Sequence, residues 1–170
     1  NRGIVRQLTI PRTPEQNGVA ERMNRTIQET ARLMLQAAGL SDIFWAEAVL
    51  TAVILRNRSP TVAVKSMTPY ESFTGVKPDV SNLRVFGCDA YMHVPQEDRK
   101  KWDAKSTKCI FIGYSLVRKG YRLWNPKTKR VHESRDVVFM ENEFGNRIQL
   151  KNPEVQKINA STTTEEFIFP

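Results

Sequence analysis

The chain has 170 residues, of which 40% are hydrophobic and 26% are charged, so it can bury a core of ordinary size and composition. Lysine and arginine together number 26 against 18 acidic residues, which gives a formal net charge of +8 and a pI near 9.7. This charge favours nucleic acid over a membrane as the partner, because the sequence has neither a separate basic amphipathic helix nor an apolar run of the ~18–20 residues that span a bilayer.

Cysteine and histidine do not form a zinc-binding pattern. Cys88 and Cys109 lie in apolar, strand-like stretches, where we expect buried free thiols rather than a disulfide. His93 and His132 have no cysteine or histidine at zinc-ligand spacing. The chain starts with Asn rather than Met and without a signal-peptide pattern, so we expect it to be a piece of a longer intracellular protein.

The first predicted element is a short strand over residues 4–10, which contains β-branched residues in partial alternation. Two prolines end this strand. Two residues could be the N-cap of the first helix: Thr13, which opens a capping-box pattern, and Asn17, which precedes a glycine. We favour Asn17, after a mobile loop over 11–16, and expect Gly39 to end the helix.

At 100° per residue, this first helix divides into an apolar face and a polar face. The apolar face comprises Val19, Ala20, Met23, Ile27, Ala31, Met34 and Ala38. The opposite face carries a narrow polar strip along the helix axis, formed by Glu21, Asn24, Arg25, Gln28 and Arg32. One interpretation is that this polar strip holds phosphate groups beside a carboxylate. The other is an ordinary surface ion pair between Glu21 and Arg25, worth about 0.3–0.5 kcal/mol.

A second helix is predicted to begin at Ser41 and to end before Ser59, and its apolar residues surround most of its circumference, so it should be largely buried. Residues 60–82 read as a connector. Within the connector, Thr68 is positioned to cap a short helix that starts with proline and ends at Gly75. We place a domain boundary near residue 80.

The hydrophobic period changes to two over residues 83–141, which predicts five short strands. They cover residues 84–94, 107–115, 120–125, 130–134 and 136–140. Five short strands within about 60 residues favour a small closed β-barrel over an open sheet. Residues 142–170 have little periodicity, which predicts a disordered tail or a linker.

The predicted barrel is rich in basic residues, and aromatic residues lie between them in the sequence. The basic residues are Arg99, Lys100, Lys101, Lys105, Lys108, Arg118, Lys119, Arg122, Lys127, Lys129, Arg130 and Arg135. Tyr114, Tyr121 and Trp124 could be stacking platforms in a nucleic-acid groove, and we select Lys119 and Arg122 as contacts within it. The alternative is that these aromatic residues form a core and that the charged residues around them are solvated. The sequence favours neither interpretation of the aromatic residues over the other.

Glu21 is the residue of the first helix that suits phosphodiester chemistry. Cleaving or joining a phosphodiester with two divalent ions requires carboxylates that hold the ions and align the nucleophile with the phosphorus. A single carboxylate would leave each ion with mostly water ligands, so further carboxylates must complete such a site.

The stretch QLTIPRTPEQNGVAERMNRTI resembles the final part of the catalytic core of copia-type retrotransposon integrases. Further segments are similar to the region that follows this core in the same polyproteins, namely FWAEAV, NRSPT, TPYESFTGVKP, LRVFGCDAY, KCIFIGYS, KGYRLWNP and SRDVVF. The resemblance covers residues 3–140, in order and without large gaps.

The resemblance implies an α+β fold. Residues 1–59 would be the C-terminal helical portion of a ribonuclease-H-like integrase core, followed by the connector 60–82 and the small five-stranded β-barrel 83–141. It also implies that Glu21 is the glutamate of an Asp, Asp, Glu triad, and hence catalytic and a metal ligand. The residues it implies as DNA-facing, in the active-site loop and on the polar strip, are Asn17, Asn24, Arg25 and Gln28, to which the helix pattern adds Arg32.

By the same resemblance, both aspartates of the triad should precede this chain, so we expect the chain alone to be inactive and to bind no metal. The parent protein would insert element DNA into target DNA by Mg²⁺- or Mn²⁺-dependent 3′-processing and strand transfer, in the nucleus. Its partners would be element-end and target DNA, the rest of the Pol polyprotein and, as an option, a second copy, but no membrane. The alternatives are a non-catalytic nucleic-acid-binding or interaction protein derived from the element, and a degenerate reading frame without a role.

Overall fold

The computed structural model describes residues 17–64 and 67–141, and within them an α+β arrangement of helices followed by strands. The α-helices are α1 (Gly18–Ala38), α2 (Trp45–Arg58) and α3 (Pro69–Thr74). The strands are β1 (Asp89–His93), β2 (Ser106–Tyr114), β3 (Tyr121–Asn125), β4 (Arg130–Ser134) and β5 (Val137–Met140). Strands β2 to β5 coincide with the predicted segments to within a residue, whereas β1 begins five residues after the start of its predicted segment, 84–94. None of the helices in the described ranges is long and apolar enough to cross a membrane. The predicted strand 4–10, the loop 11–16 and the tail 142–170 lie outside the described residues.

The ends of α1 confirm the prediction from the turn residues. The helix begins at Gly18, directly after Asn17, and its C-cap is Gly39 in the left-handed conformation with φ of 55°. The Gly39 N–H donates to the Gln36 carbonyl at 3.0 Å, and the Leu40 N–H donates to the Leu35 carbonyl at 3.0 Å. These two bonds satisfy carbonyls that the helix end would otherwise leave unpaired.

The two shorter helices end where their sequence signals predict, and α3 also begins as predicted, but α2 begins at Trp45 rather than at Ser41. A 3-10 turn over Asp42–Phe44 leads into α2. At the start of α3, the Thr68 hydroxyl accepts a hydrogen bond from the Glu71 N–H at 3.0 Å, and Gly75 ends the helix. The prediction that α2 is largely buried is only partly right. Its buried positions are Ala48, Thr51 and Ala52, while Trp45 and Leu50 are each 39% exposed.

The five strands form one antiparallel sheet in the order β4-β3-β2-β1-β5. Three strand steps separate β3 from β5, about 14 Å in a flat sheet. Yet the rings of Tyr121 in β3 and Phe139 in β5 have centroids only 4.8 Å apart. The sheet therefore curls into an incomplete barrel with these rings inside it. The prediction of a closed barrel is wrong for the described strands, because β4 and β5 are the two edges of the sheet and do not pair with each other.

Two hydrophobic cores meet at β2, which is buried on both faces. Ile112 packs with the helices, in a core that also contains Ala31, Leu35, Ala38, Phe44, Ala48, Ala52 and Phe86. Phe111, the preceding residue, packs inside the barrel with Cys88, Ala90, Cys109 and Leu123. The helices and the sheet thus share a core across residue 80, where the sequence predicts a boundary. The division into domains and the ribonuclease-H-like assignment of residues 1–59 stay predictions.

Candidate nucleic-acid interface

The polar strip of α1 lies on the surface. Its five residues, Glu21, Asn24, Arg25, Gln28 and Arg32, are all exposed, as is Asn17 immediately before the helix. Because α1 is an uninterrupted helix over these positions, the strip presents its groups turn by turn along one side. The roles assigned to these residues stay predictions, but their side chains are accessible to a macromolecular ligand.

The surface ion pair that was the alternative explanation of the strip is absent from the described structure. Within the described ranges, Glu21 and Arg25 are not among the ion pairs with nitrogen and oxygen within 4.0 Å. The neighbouring Arg22 instead turns back along the helix, and its Nε donates to the Gly18 carbonyl at 3.2 Å. The Glu21 carboxylate and the Arg25 guanidinium are therefore not held by each other.

The described residues do not complete a metal site around Glu21. No group of three or more His, Cys, Asp or Glu side chains within the described ranges could hold a metal ion. Mg²⁺ in proteins is bound through one or two carboxylates together with waters and substrate oxygens. Glu21 fits such a site as one ligand only, and the other ligands must come from elsewhere.

The apolar face of α1 is covered by the rest of the structure only in its second half. Ala31, Leu35 and Ala38 are buried, whereas Val19 is 74% exposed and Met23 is 40% exposed. Leu35 takes a core position that was absent from the predicted apolar face. Beside the uncovered half lies an open groove of about 250 Å³, which is lined by Met23, Ile27, Val53, Arg56, Asn57, Thr61, Ala63, Val64 and Pro69. The first two turns of α1 thus carry a polar strip on one side and free apolar surface on the other.

In the barrel, Lys119 lies in the exposed loop between β2 and β3. The Ser115 hydroxyl accepts hydrogen bonds from the N–H groups of Val117 at 3.3 Å and Arg118 at 3.1 Å, so one side chain shapes the loop. Lys119 and Arg118 are both exposed, next to Leu116 and Val117, which are 69% and 89% exposed. The loop therefore presents positive charge to solvent, as a phosphate contact requires.

Arg122 is engaged with carboxylates. Its Nε donates to Glu47 Oε2 at 2.9 Å, a second guanidinium nitrogen binds Glu47 Oε1, and the third donates to Glu133 Oε1 at 3.1 Å. These hydrogen bonds, foremost the one to Glu47, raise the pKa of Arg122 above its ordinary value. In this structure Arg122 connects β3 to α2 and β4, and its predicted role as a DNA contact would require these bonds to be given up.

The barrel aromatics follow the core alternative rather than the stacking alternative. Tyr114 and Tyr121 are half-buried and pack edge-on against Phe111, with ring centroids 5.2 and 5.8 Å away. Trp124 packs against Phe44 of the 3-10 turn at 5.1 Å. Such edge-to-face contacts are typical of packed interiors.

Among the described aromatic residues of the barrel, Trp102 is the one that is open to a ligand, and sequence reasoning missed it. Trp102 is 91% exposed at the tip of the loop between β1 and β2. The signal was the sequence RKKW, an aromatic residue directly after three basic ones, in a segment predicted to be a loop. The aromatic residues of the nearby strands fit the alternating pattern of the sequence more clearly than Trp102 does, but they face the core.

The bases of the two basic loops lie beside the two ends of the connection between β4 and β5. The loop that carries Trp102 follows His93, whose N–H donates to the Asp136 carbonyl at 3.0 Å. The loop that carries Lys119 precedes Tyr121, which pairs with Ser134. The two attachment points are thus only two residues apart, and the residue between them is Arg135, whose side chain is 80% exposed. We use the name basic loop face for the exposed basic residues of these two loops and of the connection, which are Lys100, Lys101, Lys105, Arg118, Lys119 and Arg135.

Comparison with known proteins agrees with this architecture. Residues 88–153 match the family model of the retroviral polymerase SH3-like domain. The Retrovirus-related Pol polyprotein from transposon TNT 1-94 of Nicotiana tabacum is 54% identical over 141 residues, which are 83% of this chain. The chain belongs to the copia-type retrotransposon Pol family.

Other members of this Pol family are more distant. The Pol polyprotein from transposon RE1 of Arabidopsis thaliana is 39% identical over 84% of the chain. The transposon Ty1-DR6 Gag-Pol polyprotein of Saccharomyces cerevisiae is 27% identical over 82% of the chain. The chain spans only 11% of the TNT 1-94 polyprotein, 10% of the RE1 polyprotein and 8% of the Ty1-DR6 polyprotein. No solved structure matches it.

Proposed function

We propose that this Pol segment is part of an integrase, in which α1 supplies one metal-binding carboxylate and holds DNA along its polar strip. The observation that carries the proposal is the accessibility of the strip, from Glu21 to Arg32, without an ion pair between Glu21 and Arg25. The similarity to retrotransposon Pol polyproteins supports it, since the chain aligns with them through both the helices and the barrel.

The proposed reaction is 3′-processing of element DNA followed by strand transfer into target DNA. Bound Mg²⁺ or Mn²⁺ would supply the activation of the attacking oxygen and the stabilisation of the leaving oxygen. Glu21 would be one ligand of this metal site, and two aspartates from the preceding part of the core would be the others. The chain by itself, with one such carboxylate in its described part, is expected to bind DNA without joining it.

DNA would be held by electrostatic contacts at two places. On α1, Arg25 and Arg32 lie on the same helical face as the carboxylate and suit phosphate groups, while Asn24 and Gln28 can donate hydrogen bonds to the backbone or to base edges. On the barrel, Lys119 and the rest of the basic loop face would neutralise further phosphates. Such binding weakens with salt in proportion to the number of phosphates that are neutralised.

The uncovered apolar half of α1 is a contact surface for the rest of the protein under this proposal. Val19 and Met23 are exposed in the described structure beside an open groove. Apolar surface of this kind is typically covered by a partner. We assign that partner as the remainder of the integrase core or Pol polyprotein, which would act on DNA in the nucleus.

The test is a substitution of Glu21 in a Pol integrase that contains this segment together with the preceding core. We expect Glu21→Gln to abolish strand transfer and to leave DNA affinity nearly unchanged, because it removes a metal ligand and no phosphate contact. The matched control is Glu29→Gln, the same chemical change at another exposed position of α1, which should retain activity. Full strand transfer by the Glu21→Gln protein would refute the metal role and favour a non-catalytic nucleic-acid-binding protein.

A further inference from the structure

Trp102 lies in a tight turn that is closed by two hydrogen bonds between Lys100 and Asp103, and it is exposed to solvent there. The Lys100 N–H donates to Asp103 Oδ2 at 2.8 Å, and the Asp103 N–H donates to the Lys100 carbonyl at 3.0 Å. Lys101 and Trp102 are therefore the two central residues of the turn. This hydrogen bonding defines the backbone that carries the ring while the ring itself stays 91% exposed.

The turn is attached to the barrel by a continuation of the β1–β2 ladder. The Val94 N–H donates to the Lys105 carbonyl at 3.0 Å, one residue beyond the pairing of His93 with Ser106. The loop therefore projects from a paired base. The backbone at the base of the loop is thus anchored to the barrel.

The charge around Trp102 is predominantly positive. Residues 99–105 contain four basic residues and one acidic residue, and the Lys101 Nζ lies 5.8 Å from the centroid of the Trp102 ring. The remaining residues of the basic loop face are attached nearby, at the β4–β5 connection. Single exposed apolar residues are common on protein surfaces, so the exposure alone would carry little weight. Here it coincides with a basic surface.

We propose that Trp102 stacks on an unpaired base of single-stranded nucleic acid, while the surrounding lysines neutralise its phosphates. This inference rests on the nucleic-acid binding in the proposed function and adds the strand state of the ligand. An unpaired base offers an accessible π-face to an aromatic side chain, whereas the bases of a duplex are stacked on each other. An anionic membrane surface would use both the ring and the basic residues, but it would leave the oligothymidylate affinity of Trp102→Ala unchanged.

The experiment titrates the full chain with an oligothymidylate and with a duplex of matched length, by fluorescence anisotropy at fixed salt. Because stacking of one base on an aromatic residue is worth a factor of about 5 to 150 in affinity, we expect Trp102→Ala to weaken oligothymidylate binding by that factor. Duplex affinity should stay unchanged, and Trp102→Phe should retain most of the single-strand affinity. The control is Trp45→Phe, which alters a tryptophan of α2 away from the loop and should leave both affinities unchanged.

The outcomes separate this inference from the proposed function. Unchanged oligothymidylate affinity in Trp102→Ala, with duplex binding intact, would overturn the stacking role alone. An equal loss for both ligands would overturn it too, since the ring would then not distinguish unpaired bases. Absence of salt-dependent binding to either ligand in the unsubstituted chain would overturn both proposals. Thermal unfolding of each variant verifies that it is folded.

Discussion

Arg122 of β3 donates two hydrogen bonds to the carboxylate of Glu47 in α2, a residue that is 75 positions away in the sequence. The side chains are 29% and 16% exposed, so solvent screens the pair only in part. The pair fastens the helices to the curled sheet beside the core that they share. A guanidinium and a carboxylate in this two-bond arrangement have a defined geometry that a lysine cannot reproduce.

We therefore expect Arg122→Ala to lower the free energy of unfolding by about 2–3 kcal/mol, because it leaves the Glu47 carboxylate unpaired. Glu133→Gln, which alters the more exposed partner, should cost less than about 1 kcal/mol. Urea denaturation of both variants measures the difference, and a double-mutant cycle with Glu47→Ala isolates the pair. An Arg122→Ala protein of unchanged stability that loses DNA affinity would instead support the role predicted from the sequence.

The close approach of Gly87 to α1 gives a second prediction. Gly87 has φ of +79°, and a Cβ atom there would overlap the Cβ of Ala38 and lie 3.3 Å from its Cα. Gly87→Ala should destabilise the chain by about 2–4 kcal/mol, from backbone strain plus overpacking. Gly75→Ala is the matched control, since Gly75 has φ of +73° but no described atom lies within 4 Å of the position that its Cβ would take. It should cost only the strain, about 1 kcal/mol, and equal losses in the two variants would contradict the packing argument.

The two buried thiols predict a loss of stability at high pH. Burial raises the pKa of Cys88 and of Cys109 from the ordinary 9.0 to about 11. Because the folded state binds these protons more tightly, the stability they contribute is fully present below pH 9 and is lost as the pH rises towards 11. Urea denaturation between about pH 7.5 and 10.5 should show this decline, and the Cys88→Ala/Cys109→Ala double variant should show a smaller one. Identical pH profiles would contradict the assignment.

Arg25 on the polar strip gives a prediction about DNA binding. Arg25→Ala should weaken binding to duplex DNA and lower the slope of log K against log salt by about one, because one phosphate contact is removed. Lys77→Ala removes the same charge from an exposed position after α3 and should leave the slope unchanged. Titrations at several salt concentrations measure both slopes. If the slope is the same for Arg25→Ala as for the unsubstituted chain, Arg25 does not contact a phosphate and is an ordinary surface residue.

Local sequence signals were sufficient to place the elements of the described fold. Asn17 and Gly39 bound α1, Thr68 starts α3 with its hydroxyl cap, and the change to period two locates the five strands. These signals succeed because they report interactions within a few residues. The same signals were less accurate about burial, since Val19 belongs to the apolar face of α1 and yet is 74% exposed.

The candidate site was predictable in part. The spacing of its residues on a helix predicts the polar strip, and the strip is accessible in the structure. The proposed role of Glu21, in contrast, comes from a family resemblance. The pairing of Arg122 with Glu47 could not be predicted, because it depends on which helix packs over β3. The sequence also could not predict that Trp124 packs on Phe44 while Trp102 is almost fully exposed.

The sequence by itself determined the order of the described helices and strands and most of their limits, the membership in the Pol family and the amphipathic division of α1. The tertiary structure alone decided which charged and aromatic side chains of the barrel are engaged within the protein and which are exposed to solvent. The physical reason is that helix caps and strand alternation are local, whereas the environment of a side chain depends on distant elements that pack against it. Curling of the sheet packs Tyr121 against Phe139, and the same fold leaves Trp102 on a turn that projects into solvent.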